Sequence, residues 1–242
     1  MTRSSPPAPA GTLMIRESPS TGGTLPGTLV AAADAELKRS LELLRAVAAG
    51  TIPHRRVVRV STPPRIVAMS RRESRMPGFE DARRACIAHG FVPVIRHTGG
   101  RAVAYDETCV VFDVIVREAG GPMDQALFFR DVGDRLVAAL RALGVDARLG
   151  EVPGEYCPGQ FSVNARGAVK LIGTSQRAVR GARLLSGMLP LGPVDRFVQV
   201  LVAVNRALGL DWDPVTFGTL GHENPGLPRR AVEDALVAAL DE

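Results

Sequence analysis

The chain has 242 residues, a formal net charge of +5, 45% apolar and 23% charged residues, which is ordinary globular composition. Its three cysteines, Cys86, Cys109 and Cys157, make an odd number and argue against a secreted disulfide framework. No apolar run reaches the ~20 residues of a membrane span, and MTRSSPPAPAGTL at the N-terminus has no apolar signal-peptide core, so a soluble cytoplasmic protein with no membrane partner is expected.

Residues 1–11 are rich in Ser, Pro and Ala and read as a disordered tail, leaving 12–242 as one domain. TLMIR (12–16) opens a strand and SPSTGGTLPG (18–27) reads as a loop. From Ala31 to Ala49 the pattern is helical: Leu37, Leu41, Leu44 and Ala48 share one face, and Gly50 stands at the C-terminal stop. RVVRV (56–60) and RIVAM (65–69) are short strands split by Thr62-Pro63-Pro64. A helix near 79–89 places Phe79, Ala82, Cys86 and Ile87 on its apolar side.

FVPVI (91–95), RAVAY (101–105) and CVVFDVIV (109–116) are β-type runs separated by turn residues. Leu136, Ala139, Leu140 and Leu143 mark a third helix that ends at Gly144. QFSVN and AVKLI flank Ala165-Arg166-Gly167, a hairpin with Gly in the left-handed position. LLSGMLPL (184–191) adds a strand, and Val194 to Leu208 and Ala231 to Leu240 form closing helices. Helices at both ends with strands clustered between them predict an α+β domain on a largely antiparallel mixed β-sheet flanked by helices.

The positive charge raises the possibility of nucleic-acid binding, but three features oppose it. Basic residues are spread along the chain, aromatics are only 5%, and no helix-turn-helix, zinc-finger or RNP signature appears. An acidic protein partner suits the charge equally well. Of the 30 basic residues only Lys38 and Lys170 are lysines. Lys38 falls on a solvated helix face. Lys170 sits among apolar neighbours in GAVKLIG, so a compact ammonium has been kept where Arg is the default cation.

Three segments carry candidate chemistry. In Arg96-His97-Thr98-Gly99-Gly100-Arg101-Ala102-Val103, two glycines between β runs expose amides and allow close backbone approach to a ligand, although the same pattern serves as a plain turn. Cys157, in GEYCPGQ, is a loop thiol, whereas Cys86 and Cys109 occupy apolar positions of a helix and a strand. Lys170 precedes Gly173-Thr174-Ser175-Gln176-Arg177; a lysine snorkelling from a strand edge is the bland alternative. Pairing across Ala165-Arg166 puts Lys170 opposite Phe161, about 13 Å from an extended Cys157, so the Pro158-Gly159 bend has to fold the thiol back.

Together and in this order, these segments resemble the biotin/lipoate protein ligase superfamily, lipoate ligase and octanoyltransferase branch. RHTGGRAV is similar to its Arg-x-Ser-Gly-Gly-x-x-Val segment with Thr98 for Ser. GAVKLIGTSQR is similar to its Gly-x-Lys-x-x-Gly-x-(Ser/Ala)-Gln-Arg segment with one extra residue before Lys170. CPGQFSV, with Lys170 thirteen positions after Cys157, resembles the cysteine-dependent transferases that move octanoyl groups from the glycine cleavage H protein. Two features depart from the ligase pattern: Arg101 replaces its third glycine, and Tyr105-Asp106 replaces its His-Asp pair. With 72 residues after Lys170, the accessory domain usual in single-chain ligases is not expected.

The resemblance implies a fold like that of biotin synthetase and class II aminoacyl-tRNA synthetases. It implies an acyltransferase of protein lipoylation that moves octanoyl or lipoyl from an acyl-carrying protein to a lysine of lipoyl domains. Cys157 would be the nucleophile, and Lys170 would favour its thiolate and donate to the developing oxyanion. Arg96, Thr98, Gly99, Gly100, Val103, Gly173 and Thr174 would bind substrate. No metal or cofactor is implied. Partners would be the glycine cleavage H protein, lipoyl domains of 2-oxoacid dehydrogenase complexes and acyl carrier protein, with no nucleic acid. Two alternatives stand beside this reading: an ATP-dependent lipoate–protein ligase using ATP and Mg, and a non-catalytic protein that binds lipoyl domains or acyl groups.

Overall fold

A computed structural model describes residues 11–17, 26–118 and 124–241; apart from Gly11, the expected tail lies outside them. Strands are numbered in chain order. The large sheet runs β1 (Thr12–Glu17), β2 (Arg56–Ser61), β6 (Cys109–Arg117), β10 (Ala182–Pro190), β9 (Val169–Val179), β8 (Val163–Ala165), β7 (Ala147–Leu149). A small sheet runs β4 (Val92–Ile95), β3 (Ile66–Met69), β5 (Val103–Tyr105). Among the paired strands of the described residues only β1–β2 and β3–β4 are parallel, so the mixed, largely antiparallel sheet expected from sequence is present.

β6 explains why the large sheet is central. Its sequence CVVFDVIVR is apolar almost throughout, and every residue before Arg117 is buried, as a strand covered on both faces requires. Val110, Phe112, Val114 and Val116 face helices α3 (Gln125–Ala142) and α6 (Arg229–Asp241). Ile115, with Val57 and Leu184 of the neighbouring strands, meets Leu43, Leu44 and Val47 of α1 (Pro26–Ala49). Complete burial of one such side chain contributes about 2 kcal/mol.

Helix α1 starts at Pro26, inside the expected loop, because proline is compatible with a helix's first turn; residues 18–25 of that loop lie outside the described residues. Helix α2 (Phe79–Ala88) buries Ala82 and Cys86, but Ile87 is 63% exposed. The structure thus corrects its expected place on the apolar face: it lies one residue, about 100° of helix, beyond Cys86. The small sheet packs with α2 and α4 (Asp195–Ala207) around Phe91, Phe197 and Phe217. β7, three residues between Gly144 and Gly150, is too short to show a period in sequence.

One cross-strand row of the large sheet is polar. Arg59 pairs with Asp113, Asp113 with Ser186, and Ser186 with Ser175. Arg59 and Asp113 are buried and bridge at 3.1 Å, while Glu17 and Glu36 each reach the same guanidinium at 2.6 Å. The Ser40 and Ser186 hydroxyls donate to Asp113 at 2.7 and 2.5 Å. Helix α1, which carries Glu36 and Ser40, therefore docks by ionic contacts in this half and by leucines in the other.

Candidate active site

The Gly-Gly segment is the β4–β5 connection of the small sheet. The Arg96 N–H donates to the Met69 carbonyl at 2.8 Å, which sets the register in which the loop leaves the sheet. The Arg96 guanidinium then turns back and donates through Nη2 to the Arg101 carbonyl at 2.7 Å. Gly100 has φ +94°, and a Cβ there would stand 2.7 Å from Arg96 Nη2 and 3.2 Å from Cys157 Sγ. Both the conformation and the space therefore require glycine. The next amide, Arg101 N–H, donates to Cys157 Sγ at 3.2 Å.

Lys170 reaches the same point from the large sheet. The hairpin turns through Arg166, Gly167 and Ala168, with Arg166 at φ 57° and Gly167 at φ 72°. Lys170 consequently pairs with Asn164, not Phe161, and the register shifts again between Val163 and Asn164. The expected register is corrected because the turn is centred on Arg166-Gly167, both left-handed, with the Ala168 N–H donating to the Ala165 carbonyl at 2.9 Å, one residue later than Ala165-Arg166, and the pairing beyond it is irregular.

Three successive residues wrap the buried Lys170 ammonium. Glu155 Oε1 lies at 3.1 Å, the Tyr156 ring centroid at 5.0 Å and the Cys157 carbonyl oxygen at 2.6 Å. Lys170 thus meets Cys157 through the backbone carbonyl. One of its three N–H groups has no oxygen or nitrogen partner among the described residues. The Glu155 carboxylate is itself held by Ser162 Oγ at 2.8 Å and Val152 N–H at 3.2 Å. A Cβ at Gly173 would stand 3.0 Å from Lys170 Cε, so the absent side chain lets the lysine lie along β9. Burial pushes the Tyr156 hydroxyl well above its usual range, with Cys157 adding to the effect.

These groups open on a cavity of about 640 Å³, within the usual size of small-molecule sites. Arg96, Gly99, Gly100, Val103, Cys157, Lys170, Gly173 and Thr174 all line it. Thr98 does not; it lines an adjoining 60 Å³ chamber under α1, where its hydroxyl accepts from Ser175 Oγ at 3.0 Å. Arg96, Tyr105, Ser175 and Ser186 face both spaces. Phe129 and Phe161 stack at 5.5 Å on the large cavity's wall, with the Arg130 guanidinium 5.9 Å from the Phe161 ring.

The remaining candidates sort by burial. Cys86 and Cys109 are fully buried; burial pushes the Cys86 thiol up to about 12 and raises that of Cys109 as well. Cys157 alone of the three is partly exposed. Burial, reinforced by Arg71 and Arg177, lowers His97 from its usual value, and His97 lines the small chamber rather than the cysteine's cavity. Buried Asp106 accepts from Thr108 N–H and hydroxyl and from Arg196, which gives it a turn-holding role. Among the described residues no group of three or more His, Cys, Asp or Glu is placed to hold a metal, and no helix is long and apolar enough to cross a membrane.

Two buried glutamates escaped the sequence reading. Glu155, within the GEYCPGQ segment, is buried against Lys170; Glu73, buried in a short 3-10 turn (Glu73–Arg75), accepts from the Ala102 N–H of the Gly-Gly loop at 2.7 Å. The only local signal for Glu155 was a carboxylate two residues before a loop cysteine.

Comparison with known proteins adds three findings. The profile described as lipoyl protein ligase A/B catalytic domain matches residues 35–209. An octanoyl-GcvH:protein N-octanoyltransferase of Exiguobacterium sibiricum is 37% identical over 117 residues, 48% of this chain and 41% of that protein. Its counterpart in Geobacillus kaustophilus is 28% identical over 125 residues, 52% of this chain and 44% of its own. Each match thus spans less than half the relative's length. Among solved structures, a lipoate-protein ligase A bound with ATP superposes with TM-score 0.66 at 19% identity, covering 95% of this chain and 83% of that one. A bi-partite lipoate protein ligase of Thermoplasma acidophilum, described with its lipoyl domain, gives 0.65 at 20%, covering 95% and 81%. These likenesses establish a shared fold.

Proposed function

The chain belongs to the lipoyl protein ligase A/B catalytic-domain family, and from that membership we propose that it transfers an octanoyl or lipoyl group between proteins through a thioester on Cys157. The observation that carries the reading is the placement of this one partly exposed thiol on the cavity wall, with the Arg101 amide at 3.2 Å from its sulfur and Lys170 on its carbonyl at 2.6 Å.

In the first step the Cys157 thiolate attacks the acyl carbon of the donor. A carbon–sulfur bond to Cys157 forms, and the donor's bond to that carbon breaks. The donor leaves as a thiol or an amine carrying the proton lost by Cys157. In the second step a lysine amine of the acceptor attacks the thioester, an amide forms, the carbon–sulfur bond breaks, and the amine's proton returns with the thiol. The free Lys170 N–H is suited to the oxygen on which negative charge develops, an interaction worth about 3 kcal/mol in comparable sites. Gly99, Gly100, Val103, Gly173 and Thr174 border the space for the acyl chain, with Arg96 beside them and Thr98 behind. No metal or cofactor enters either step.

The names of the relatives point to an octanoylated H protein as donor. Lipoyl domains of 2-oxoacid dehydrogenase complexes are the acceptors we propose, with acyl carrier protein as the competing donor. The chain's net charge of +5 favours encounter with acidic carriers at low salt.

Intact-protein mass spectrometry without ATP tests the reading. Mixing with octanoyl-H protein or octanoyl-acyl carrier protein should add one octanoyl mass, and Cys157→Ala should abolish the gain. Amide formation from free lipoate and ATP that survives Cys157→Ala would select the ligase instead. Carrier binding with no acyl turnover would select a binding protein.

A further inference from the structure

Arg96 is a buried cation without a carboxylate partner among the described residues, and Glu73 is a buried anion without a cationic one. An unpaired buried charge of either sign is expensive. The two meet across one peptide unit. Arg96 Nη2 donates to the Arg101 carbonyl at 2.7 Å, and the N–H on the other side of that planar unit, Ala102 N–H, donates to Glu73 Oε1 at 2.7 Å. Glu73 Oε2 is satisfied by the Ser70 N–H at 2.7 Å and the Ser70 hydroxyl at 2.8 Å. The Arg101–Ala102 peptide is therefore gripped at its positive and negative ends by ions of opposite sign, which polarise it and resist its rotation.

The adjacent amide upstream is Arg101 N–H, the donor to Cys157 Sγ. Rotation of the gripped peptide would carry that donor off the sulfur, because Gly100 before it, at φ +94°, offers little resistance of its own. We infer that Glu73 is a positioning residue that, acting with Arg96 through the Arg101–Ala102 peptide, holds the Arg101 amide on the Cys157 sulfur. This deepens the acyltransferase reading and rests on Cys157 being its nucleophile.

The test uses the full chain with Glu73→Ala, and Glu73→Gln as the isosteric variant should the first fail to fold. Folding is checked by circular dichroism. Two readouts are taken: the pH profile of Cys157 alkylation by iodoacetamide, and the rate of octanoyl-adduct formation from an octanoyl donor. The other charged or titratable groups near the sulfur, Arg96, Arg101, Lys170, Glu155 and Tyr156, remain in place, and loss of the Glu73 charge alone would move the profile to lower pH, so a shift to higher pH reports the amide.

Loss of the grip should move the alkylation profile to higher pH and slow acylation about tenfold. The donor concentration for half-saturation should not change. In Glu73→Gln one amide oxygen remains, and the shifts should have the same direction and be smaller. A slower acylation with an unmoved alkylation profile, or a rise in half-saturating donor alone, would overturn the inference and leave Glu73 a structural residue. Unchanged readouts in a folded variant would overturn it too. If the parent chain takes no octanoyl from any donor, the acyltransferase reading fails, and the alkylation profile still decides whether Glu73 sets the thiol's environment.

Discussion

The backbone N–H of Arg101 donates to the sulfur of Cys157 at 3.2 Å across 56 residues of sequence. This contact joins the small sheet, which carries the Gly-Gly loop, to the β7–β8 connection of the large sheet, which carries the cysteine. The candidate site is thus built on two sheets, and each supplies a part that the other cannot.

Only one thiol should react in the native protein. Cys86 and Cys109 are fully buried, and burial pushes Cys86 up to about 12, so both should resist alkylation near neutral pH. Intact-mass analysis should show a single adduct, absent in Cys157→Ser, and three adducts after unfolding. Two native adducts would contradict the burial described.

Gly100→Ala should cost both stability and activity. A side chain at φ +94° is strained by about 1–2 kcal/mol, and its Cβ would press on Arg96 Nη2 at 2.7 Å. Displacing the loop by about 1 Å should slow acyl-enzyme formation on the order of 100-fold. At Gly99 a Cβ meets nothing within 4 Å, so Gly99→Ala should leave the melting midpoint close to the parent's. Stopped-quench acylation and thermal melts check both.

The Lys170–Glu155 pair should be strongly coupled. The side chains are 4% and 0% exposed and 3.1 Å apart, so removing either one strands the other's charge, at about 3–5 kcal/mol. In urea denaturation the double variant Lys170→Met/Glu155→Leu should lose about 1–3 kcal/mol less than the sum of the single losses. Additive losses would mean the pair does not stabilise the site as a unit.

His97 should titrate below its free value. Burial first, then Arg71 and Arg177, lowers it from 6.5, so the unfolded chain takes up the proton before the folded one does. Stability should therefore fall as pH drops from about 6.5 through the lower folded value, and that part of the acid sensitivity should vanish in His97→Gln. Arg71→Ala should raise the imidazole midpoint in an NMR titration. An unmoved midpoint would remove Arg71, 3.3 Å from the ring, as a cause.

Legibility in the sequence followed local chemistry. The β6 run, the α4 and α6 periods and the Gly167 turn declare themselves through neighbours in the chain. The cysteine, lysine and Gly-Gly segments declared themselves through motif and through the rarity of lysine. Relations between distant segments did not. Nothing near Ile66 or Val92 says that these strands leave the large sheet, and a turn centred one residue later than expected, with an irregular ladder beyond it, puts Lys170 opposite Asn164 rather than Phe161. Thr98 matched the motif yet faces the small chamber, where Ser175 of a distant strand donates to it. Glu73 and Glu155 resembled surface acids until folding brought Ala102 and Lys170 to them.

The scarcity of lysine acquires a chemical meaning once the ion pairs are known. Lys38 lies exposed on α1 and is not among the residues that line the cavity, and Lys170 is held by Glu155 at 3.1 Å in a buried setting. An acyl thioester on Cys157 would therefore have no free ε-amine of its own chain beside it onto which to collapse. Self-acylation would be suppressed, and the lifetime of the loaded protein would be governed by water and by the arrival of an acceptor.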